Sequence, residues 1–299
     1  MEKKTVSLVL GSGGARGLAH IGIINWLKEH DYDIQSIAGS SMGALIGGIY
    51  ATGQLETYSN WVRQLEKIDV LRLLDFSFGE GGLIKGERII DALRKLIGQY
   101  NIEDLPLSFT AVATDLDNEK EIWLNKGPLF DAIRASIAIP SIITPYEYHG
   151  KRLVDGGLLN PIPIAPTLKD KTDITIAVNL SAPPVKMPLG KRPVEKTPPD
   201  KDENYRSKIV QFIEDLQHKV FEEEVAEIGV FDVIAKSLDA MQNTIARFKL
   251  AAYAPDIIIN IPSNACFFYE FYRAEEIISL GYKKAEESFN YSSYNNTLK

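Results

Sequence analysis

Two strand–turn–helix units at the start of the chain constrain its fold more than any other feature of the sequence. The apolar run TVSLVL, residues 5–10, ends in the stretch GSGGARG, and helical spacing follows over residues 17–30. The run IQSIA, residues 34–38, passes through GSSMG into a helix of small residues over 41–53. Apolar strands that alternate with helices are typical of a parallel sheet covered on both faces. We therefore predict an α/β fold with three α/β/α layers around a mostly parallel central sheet.

The rest of the chain divides by composition. The strand and helix patterns continue over residues 5–180, which we interpret as the core of one α/β domain spanning residues 1–299. Residues 181–204 are rich in Pro and Lys without any period, which predicts an exposed, flexible loop. Helices and one late strand are predicted over 205–289, and a disordered tail over 290–299.

The charge balance excludes one class of partner. A net charge of −7 argues against a nucleic-acid-binding surface, which needs a basic stripe, and gives no bulk attraction to anionic lipid. Cys266 is the only cysteine, so no disulfide can form within the chain. No apolar stretch approaches the roughly 20 residues of a membrane span, and the first apolar run is too short for a signal peptide. We expect a cytoplasmic protein.

The stretch GSSMG, residues 39–43, matches the nucleophile pattern G-x-S-x-G. A serine hydroxyl is a weak nucleophile at neutral pH and needs an adjacent base and donors for the oxyanion. A tight turn from strand to helix exposes the Ser41 oxygen, and Gly39 and Gly43 remove side chains that would obstruct it. The following helix points free N–H groups at the same place. Ser41 is therefore the candidate nucleophile, with a purely structural turn as the alternative.

The glycine-rich stretch GSGGARG, residues 11–17, allows two interpretations. Glycine adds no side chain, so backbone N–H groups there can approach an oxygen closely and form an oxyanion hole. The spacing also resembles dinucleotide-binding loops, which need an acidic residue about 20 positions on, at the end of the next strand. Asp33 lies near that position but precedes the strand IQSIA instead of ending it. Pairing the loop with GSSMG one strand later favours the oxyanion hole.

The histidines offer no convincing base for Ser41. His218 would complete the chain order Ser, Asp, His of α/β-hydrolases, but it falls on the charged face of its predicted helix. His149, in YEYHGKR, has the setting of a hairpin turn, and His20 that of a packing or capping residue.

Asp155 has a better setting than any histidine. The stretch LVDGG places its carboxylate at a strand end, where Gly156 and Gly157 allow close access. Its alternative interpretation is an ordinary turn aspartate. We favour the catalytic interpretation of Asp155, because Ser41 and Asp155 both lie beside glycines in turns at strand ends.

Three motifs in order carry a resemblance to a known family. GSGGARGLAHIG, GSSMGALIGGIYATG and ASIAIPSIITPYEYHGKRLVDGGLLNPIP resemble the bacterial branch of the patatin-like phospholipases, over residues 5 to about 180. PDIIINIP and YRAEEIISLGY resemble closing elements of the same proteins. The sequence departs from the pattern at Ser12, where many members carry a third consecutive glycine.

The resemblance implies a hydrolase that cleaves acyl esters of lipids with a Ser–Asp dyad and without a metal or cofactor. It makes Ser41 the nucleophile and Asp155 the base. It also implies an oxyanion hole in the glycine loop, formed by Gly13, Gly14 and the backbone of Ala15 and Arg16. The Arg16 side chain is expected to steady the loop. The expected partner is a lipid or fatty-acyl ester, and any contact with a membrane surface would be transient, local and apolar.

Two alternatives stay open at this stage. The first is a Ser–His–Asp esterase that uses His218 or His149. The second is a nucleotide-binding Rossmann protein without hydrolase activity.

Overall fold

The computed structural model of the protein describes three stretches, residues 3–75, 82–185 and 230–296. The chain divides into two compact units. Residues 1–185 together with 240–299 form the first unit, and residues 186–239 form the second. All the described strands belong to the first unit, and of the second only residues 230–239, the beginning of a helix, are described. The flexible loop predicted at 181–204 lies outside the described residues from 186 onward, as do the predicted helix before 230 and its His218.

The described residues form the following strands: β1 (Lys4–Leu10), β2 (Tyr32–Ser40), β3 (Gly82–Ile84), β4 (Ser108–Asp115), β5 (Lys120–Leu124), β6 (Ser141–Ile143), β7 (Tyr146–Tyr148), β8 (Lys151–Asp155), β9 (Ile174–Ala182) and β10 (Ile257–Pro262). They also form these helices: α1 (Ala19–Glu29), α2 (Met42–Ala51), α3 (Leu55–Arg63), α4 (Lys67–Arg72), α5 (Glu87–Ile97), α6 (Leu129–Ser136), α7 (Val230–Tyr253) and α8 (Ala274–Asn296).

The central sheet is mixed and mostly parallel. Its strands follow the order β10-β9-β1-β2-β4-β8-β7, and β5 also pairs with β4. The five strands from β10 to β4 run parallel, whereas β5 and β8 run antiparallel to β4, and β7 antiparallel to β8. Strands β3 and β6 form a separate parallel pair. The predicted α/β fold with a mostly parallel sheet is confirmed.

Helices cover both faces of this sheet. Val9 packs in a buried cluster with Ala177 and with Ala246 of α7. The next residue, Leu10, lies against Gly47 of α2. Because successive side chains of a strand point to opposite faces, α2 and α7 lie on opposite sides of the sheet.

One edge of β4 is shared by two strands that meet end to end. Ser40 of β2 pairs with Val112, and Asp155 of β8 pairs with the next residue, Ala113. Strand β5 pairs with both Val112 and Ala113, so it occupies the opposite edge. The carboxyl ends of β2 and β8 therefore come together beside the middle of β4.

Two helical segments differ from what the sequence predicts. The sequence of residues 55–75 predicts a helical stretch. The structure divides it into α3 and α4, because Glu66 is extended and starts a new helix through a capping box with Asp69. Helix α8 runs on to Asn296, so residues 290–296 are helical where a disordered tail was predicted. Phe289 anchors this end of the helix, since its ring packs against Trp26 at a centroid distance of 4.5 Å.

No helix in the described ranges has an apolar stretch long enough to cross a bilayer.

Candidate active site

Ser41 occupies a strained turn between β2 and α2. Its backbone φ of 55° and ψ of −122° lie in a region that residues other than glycine rarely adopt. The Ser41 carbonyl accepts hydrogen bonds from the N–H groups of Ala44 and Leu45, at 3.0 and 3.1 Å, so the helix begins immediately after the serine. The Ser41 N–H donates to the hydroxyl of Ser136 at 2.9 Å.

The two elbow glycines are required by close backbone approach. A Cβ atom at Gly39 would lie 2.4 Å from the Gly43 carbonyl oxygen, and one at Gly43 would lie 2.0 Å from the Leu10 carbonyl oxygen. A side chain at Gly39 would push the first turn of α2 away from the end of β2, and one at Gly43 would push it away from the end of β1.

Asp155 is brought beside Ser41 by the shared edge of β4. Its N–H donates to the Ala138 carbonyl at 2.9 Å, and its own carbonyl accepts from the Thr114 hydroxyl at 3.1 Å. Its Oδ1 accepts from the Gly157 N–H at 2.7 Å. Its Oδ2 is buried and has no hydrogen-bond partner with regular geometry in the described part of the chain. One carboxylate oxygen is thus anchored and the other is left for a reacting group.

The environment of Asp155 makes its carboxyl a stronger base than usual. Burial raises the pKa of Asp155 to about 7, while interactions with the Ser41 hydroxyl and the Gly157 N–H oppose the rise. Because Oδ2 lacks a well-formed hydrogen bond, the contact between the Ser41 hydroxyl and the carboxyl is a loose one, as is common in unliganded sites. A base with a pKa near the working pH is suited to proton transfer at neutral pH.

The glycines after Asp155 complete the junction between three chain segments. A Cβ atom at Gly156 would lie 2.0 Å from the Val112 carbonyl oxygen. One at Gly157 would lie 2.5 Å from the Ser12 hydroxyl and 3.0 Å from Asp155 Oδ1. The glycine loop, the elbow and the DGG turn therefore converge.

The glycine loop offers fewer free donors than the sequence predicted. The Ala15 N–H donates to the Phe268 carbonyl at 2.9 Å. Within the described residues, the N–H groups of Gly13 and Gly14 have no such partner. The predicted contribution of Ala15 is therefore corrected, because its donor is already engaged, and Gly13, Gly14 and the backbone of Arg16 stay as candidate oxyanion donors.

The Arg16 side chain spans the loop and the strand end at β10. Its Nε donates to the Gly13 carbonyl at 3.2 Å, and its Nη1 donates to the Ser263 carbonyl at 2.7 Å. These contacts fit the expected structural role of the side chain.

Two residues of the site escaped the sequence analysis. Met42 is the first residue of α2, and the N–H after a nucleophile elbow is a common oxyanion donor, so the G-x-S-x-G pattern could have identified it. Ser136 lies at the end of α6 and contacts Ser41 across a long stretch of sequence. Ser136 lies at the start of the motif ASIAIPSIITPYEYHGKRLVDGGLLNPIP, but nothing in that motif indicates a contact with Ser41.

The described histidines lie away from the hydroxyl of Ser41 or are otherwise engaged. His149, with φ 49°, and Gly150, with φ 72°, form the exposed two-residue turn between β7 and β8. That turn lies at the other end of β8, about 17–20 Å from Asp155 along the strand direction at about 3.3 Å per residue. His20 is fully buried and its Nε2 contacts the Gly11 carbonyl at 2.9 Å. Burial lowers the pKa of His20 to about 4, so it is neutral and supports the loop.

In the described ranges, no group of three or more His, Cys, Asp or Glu side chains is placed to hold a metal ion.

Comparison with known proteins gives a consistent family match. The model of the family described as patatin-like phospholipase matches residues 8–168, which include the glycine loop, Ser41 and Asp155. Uncharacterized NTE family proteins of Mycobacterium tuberculosis and Mycobacterium bovis are 38% identical to the chain, over 92% of its length and 89% of theirs.

More distant matches cover a smaller share of the related protein. A lysophospholipase of Debaryomyces hansenii is 28% identical over 61% of this chain and 12% of its own length. The crystal structure of VipD from Legionella pneumophila aligns with a TM-score of 0.46 and 12% identity, over 98% of this chain and 67% of that one.

Proposed function

Because the chain belongs to the patatin-like phospholipase family, we propose that it is a serine hydrolase that cleaves acyl ester bonds of lipids with a Ser41–Asp155 dyad. The observation that carries the proposal is the buried Asp155 carboxyl, whose pKa is raised to about 7 beside a serine on a strained elbow. Perturbed titration next to a nucleophile is a feature of catalytic sites.

In the acylation step, Asp155 acts as the general base. Its carboxylate takes the proton of the Ser41 hydroxyl as Oγ attacks the ester carbonyl carbon, and the carbonyl electron pair moves onto the oxygen. The N–H groups of Gly13, Gly14 and Met42, with the Arg16 backbone N–H as a further candidate, stabilise that oxyanion. The tetrahedral intermediate then collapses, and the leaving alcohol takes the proton from Asp155.

In the deacylation step, the same carboxylate activates water. Asp155 accepts a proton from the water molecule, and the water oxygen attacks the acyl carbon of the Ser41 ester. Collapse of the second intermediate expels Ser41 Oγ, which recovers the proton, and the fatty acid is released.

The substrate we propose is a phospholipid or lysophospholipid ester. Support comes from the family, and from distant relatives such as the Debaryomyces hansenii protein, which is named a lysophospholipase.

The nucleotide-binding alternative is disfavoured by the position of Asp33. Asp33 pairs with Thr5 near the beginning of β1, whereas the glycine loop follows the end of β1 at Leu10. An acidic side chain at the opposite end of these strands cannot hold the ribose of a nucleotide bound at the loop.

The test of the proposal compares two adjacent serines. Ser41→Ala is expected to abolish hydrolysis of short-chain acyl esters and labelling by a fluorophosphonate probe, because the nucleophile is lost. Ser40→Ala is the matched control, since its buried hydroxyl has no partner in the described residues, and it is expected to label normally. Normal labelling of the Ser41 variant would refute the proposal. A panel of phospholipids and lysophospholipids with product analysis then tests the substrate class.

A further inference from the structure

The segment Ser136–Ala138, at the end of α6, contacts the backbone of both proposed catalytic residues. The Ser136 hydroxyl accepts the Ser41 N–H at 2.9 Å. Two residues later, the Ala138 carbonyl accepts the Asp155 N–H at 2.9 Å. A single short segment thus holds the turn that carries the nucleophile and the strand end that carries the base.

The Ser136 hydroxyl is itself fixed in direction. It donates to the Val112 carbonyl at 2.6 Å, so its lone pairs are directed elsewhere and accept the Ser41 N–H. Val112 is the residue of β4 that pairs with the end of β2, next to the residue that pairs with Asp155. Ser136 is fully buried, so water does not replace either hydrogen bond when the hydroxyl is removed.

The segment has a rigid support. Ile133, one turn before Ser136, is fully buried. Its side chain and that of Leu129 lie against Gly48 of α2, where a Cβ atom would be 3.1 Å from each. Helix α6 is therefore held against the helix that begins at the elbow, and the Ser136 hydroxyl is held with it.

We propose that Ser136 is a positioning residue, which fixes the strained Ser41 backbone and, together with the Ala138 carbonyl, the separation between Ser41 and Asp155. This inference rests on the proposed function of the dyad. A strained backbone persists only where its surroundings hold it, and without the Ser136 acceptor the Ser41 turn can relax away from the carboxyl.

The test measures the rate of fluorophosphonate labelling in Ser136→Ala, well below its melting temperature. We expect labelling and kcat to fall about 100-fold, the scale of a misplaced reacting group, with KM unchanged. Thr167→Val is the matched control, because it removes another buried hydroxyl that donates to a backbone carbonyl, that of Ile164 at 2.9 Å. It is expected to lower the melting temperature and leave the labelling rate unchanged.

The pH profile separates positioning from general loosening. Asp155 stays buried if only the Ser41 turn relaxes, so the midpoint of the labelling profile is expected to stay near pH 7 while the plateau falls. A midpoint that moves towards pH 4 would mean that the site has opened to water, and would overturn the inference.

Further variants keep the inference falsifiable. Ser136→Thr retains the hydroxyl and is expected to restore most of the labelling. If Ser136→Ala does not fold, Ser136→Cys, a weak hydrogen-bonding partner, takes its place. Labelling at the wild-type rate in a folded Ala or Cys variant overturns the inference. A different result would refute the proposed function itself: either the wild type is not labelled, or the Ser41→Ala variant is labelled.

Discussion

The Asp155 carboxyl has one oxygen anchored by Gly157 and the other buried without a regular partner in the described residues. Its pKa is raised to about 7, from 3.8 for an exposed aspartate. A raised pKa in the folded state means that the protonated group stabilises the fold fully below about pH 4. That stabilisation is lost as the pH rises through 7. The shift corresponds to about 4 kcal/mol of folding free energy at alkaline pH.

Asp155→Asn should therefore inactivate the protein and stabilise it in a pH-dependent way. The amide has no charge to bury, so we expect the variant to melt above the wild type at pH 8 and by a smaller margin at pH 5. Ester hydrolysis should fall to background, because Ser41 loses its base. Thermal melts at both pH values and hydrolysis assays check the two effects. A variant that retains more than a tenth of wild-type activity would contradict the dyad.

In the wild type, the same carboxyl should set the pH dependence of hydrolysis. Only the ionised form accepts the Ser41 proton, so kcat/KM is expected to reach half its plateau near pH 7 and to fall tenfold per pH unit below. A profile measured with a neutral short-chain ester checks this expectation. A midpoint near pH 4 would show that burial does not raise the pKa of Asp155.

At the scale of elements, the loop between β1 and α1 depends on the segment that precedes α8. Gly14 has a φ of 55°, and a Cβ atom there would lie 2.7 Å from the Phe268 carbonyl oxygen and 2.8 Å from the Phe268 Cβ atom. The Ala15 N–H donates to that same carbonyl. The shape of the proposed oxyanion hole is thus set by a segment far along the chain.

Gly14→Ala should consequently lower kcat about 10²- to 10³-fold, as expected when one oxyanion donor is displaced. Gly53→Ala is the control for backbone strain, because Gly53 has a φ of 78° and open space where its Cβ atom would lie. Both variants are expected to lose some stability, and only the Gly14 variant to lose activity. Equal kcat values for the two variants would contradict a role for the Gly14 N–H. Steady-state kinetics beside thermal melts make the comparison.

For the whole molecule, the sequence predicted the first strands, the fold class and the family, but only some of the contacts. Local patterns identify β1 and β2, and three motifs carry the family resemblance that the match over residues 8–168 confirms. The end-to-end meeting of β2 and β8 depends on antiparallel pairing with β4, which no local pattern encodes. For the same reason, the contacts of Ser136 and of Ala15 could not be predicted, since each joins segments that are distant in sequence.

The distribution of the four histidines over the molecule leads to the last prediction. His20 is buried and neutral behind the loop, and His30 stacks on Trp26 at the end of α1 away from the loop. His149 lies in the hairpin turn at the other end of β8, and His218 lies outside the described residues. A histidine base would titrate near pH 6.5, too close to the pKa of Asp155 for a pH profile to separate the two.

Substitution distinguishes an aspartate base from a histidine base, which a pH profile cannot do. His149→Ala and His218→Ala are each expected to keep at least half of the wild-type kcat/KM, because neither side chain takes part in the proposed dyad. Loss of a triad histidine would instead lower kcat by about 10³-fold or more. Ester hydrolysis by both variants, with Asp155→Asn as the inactive reference and thermal melts to confirm folding, gives the answer. A loss of that size in either folded variant would replace the dyad with a Ser–His–Asp triad.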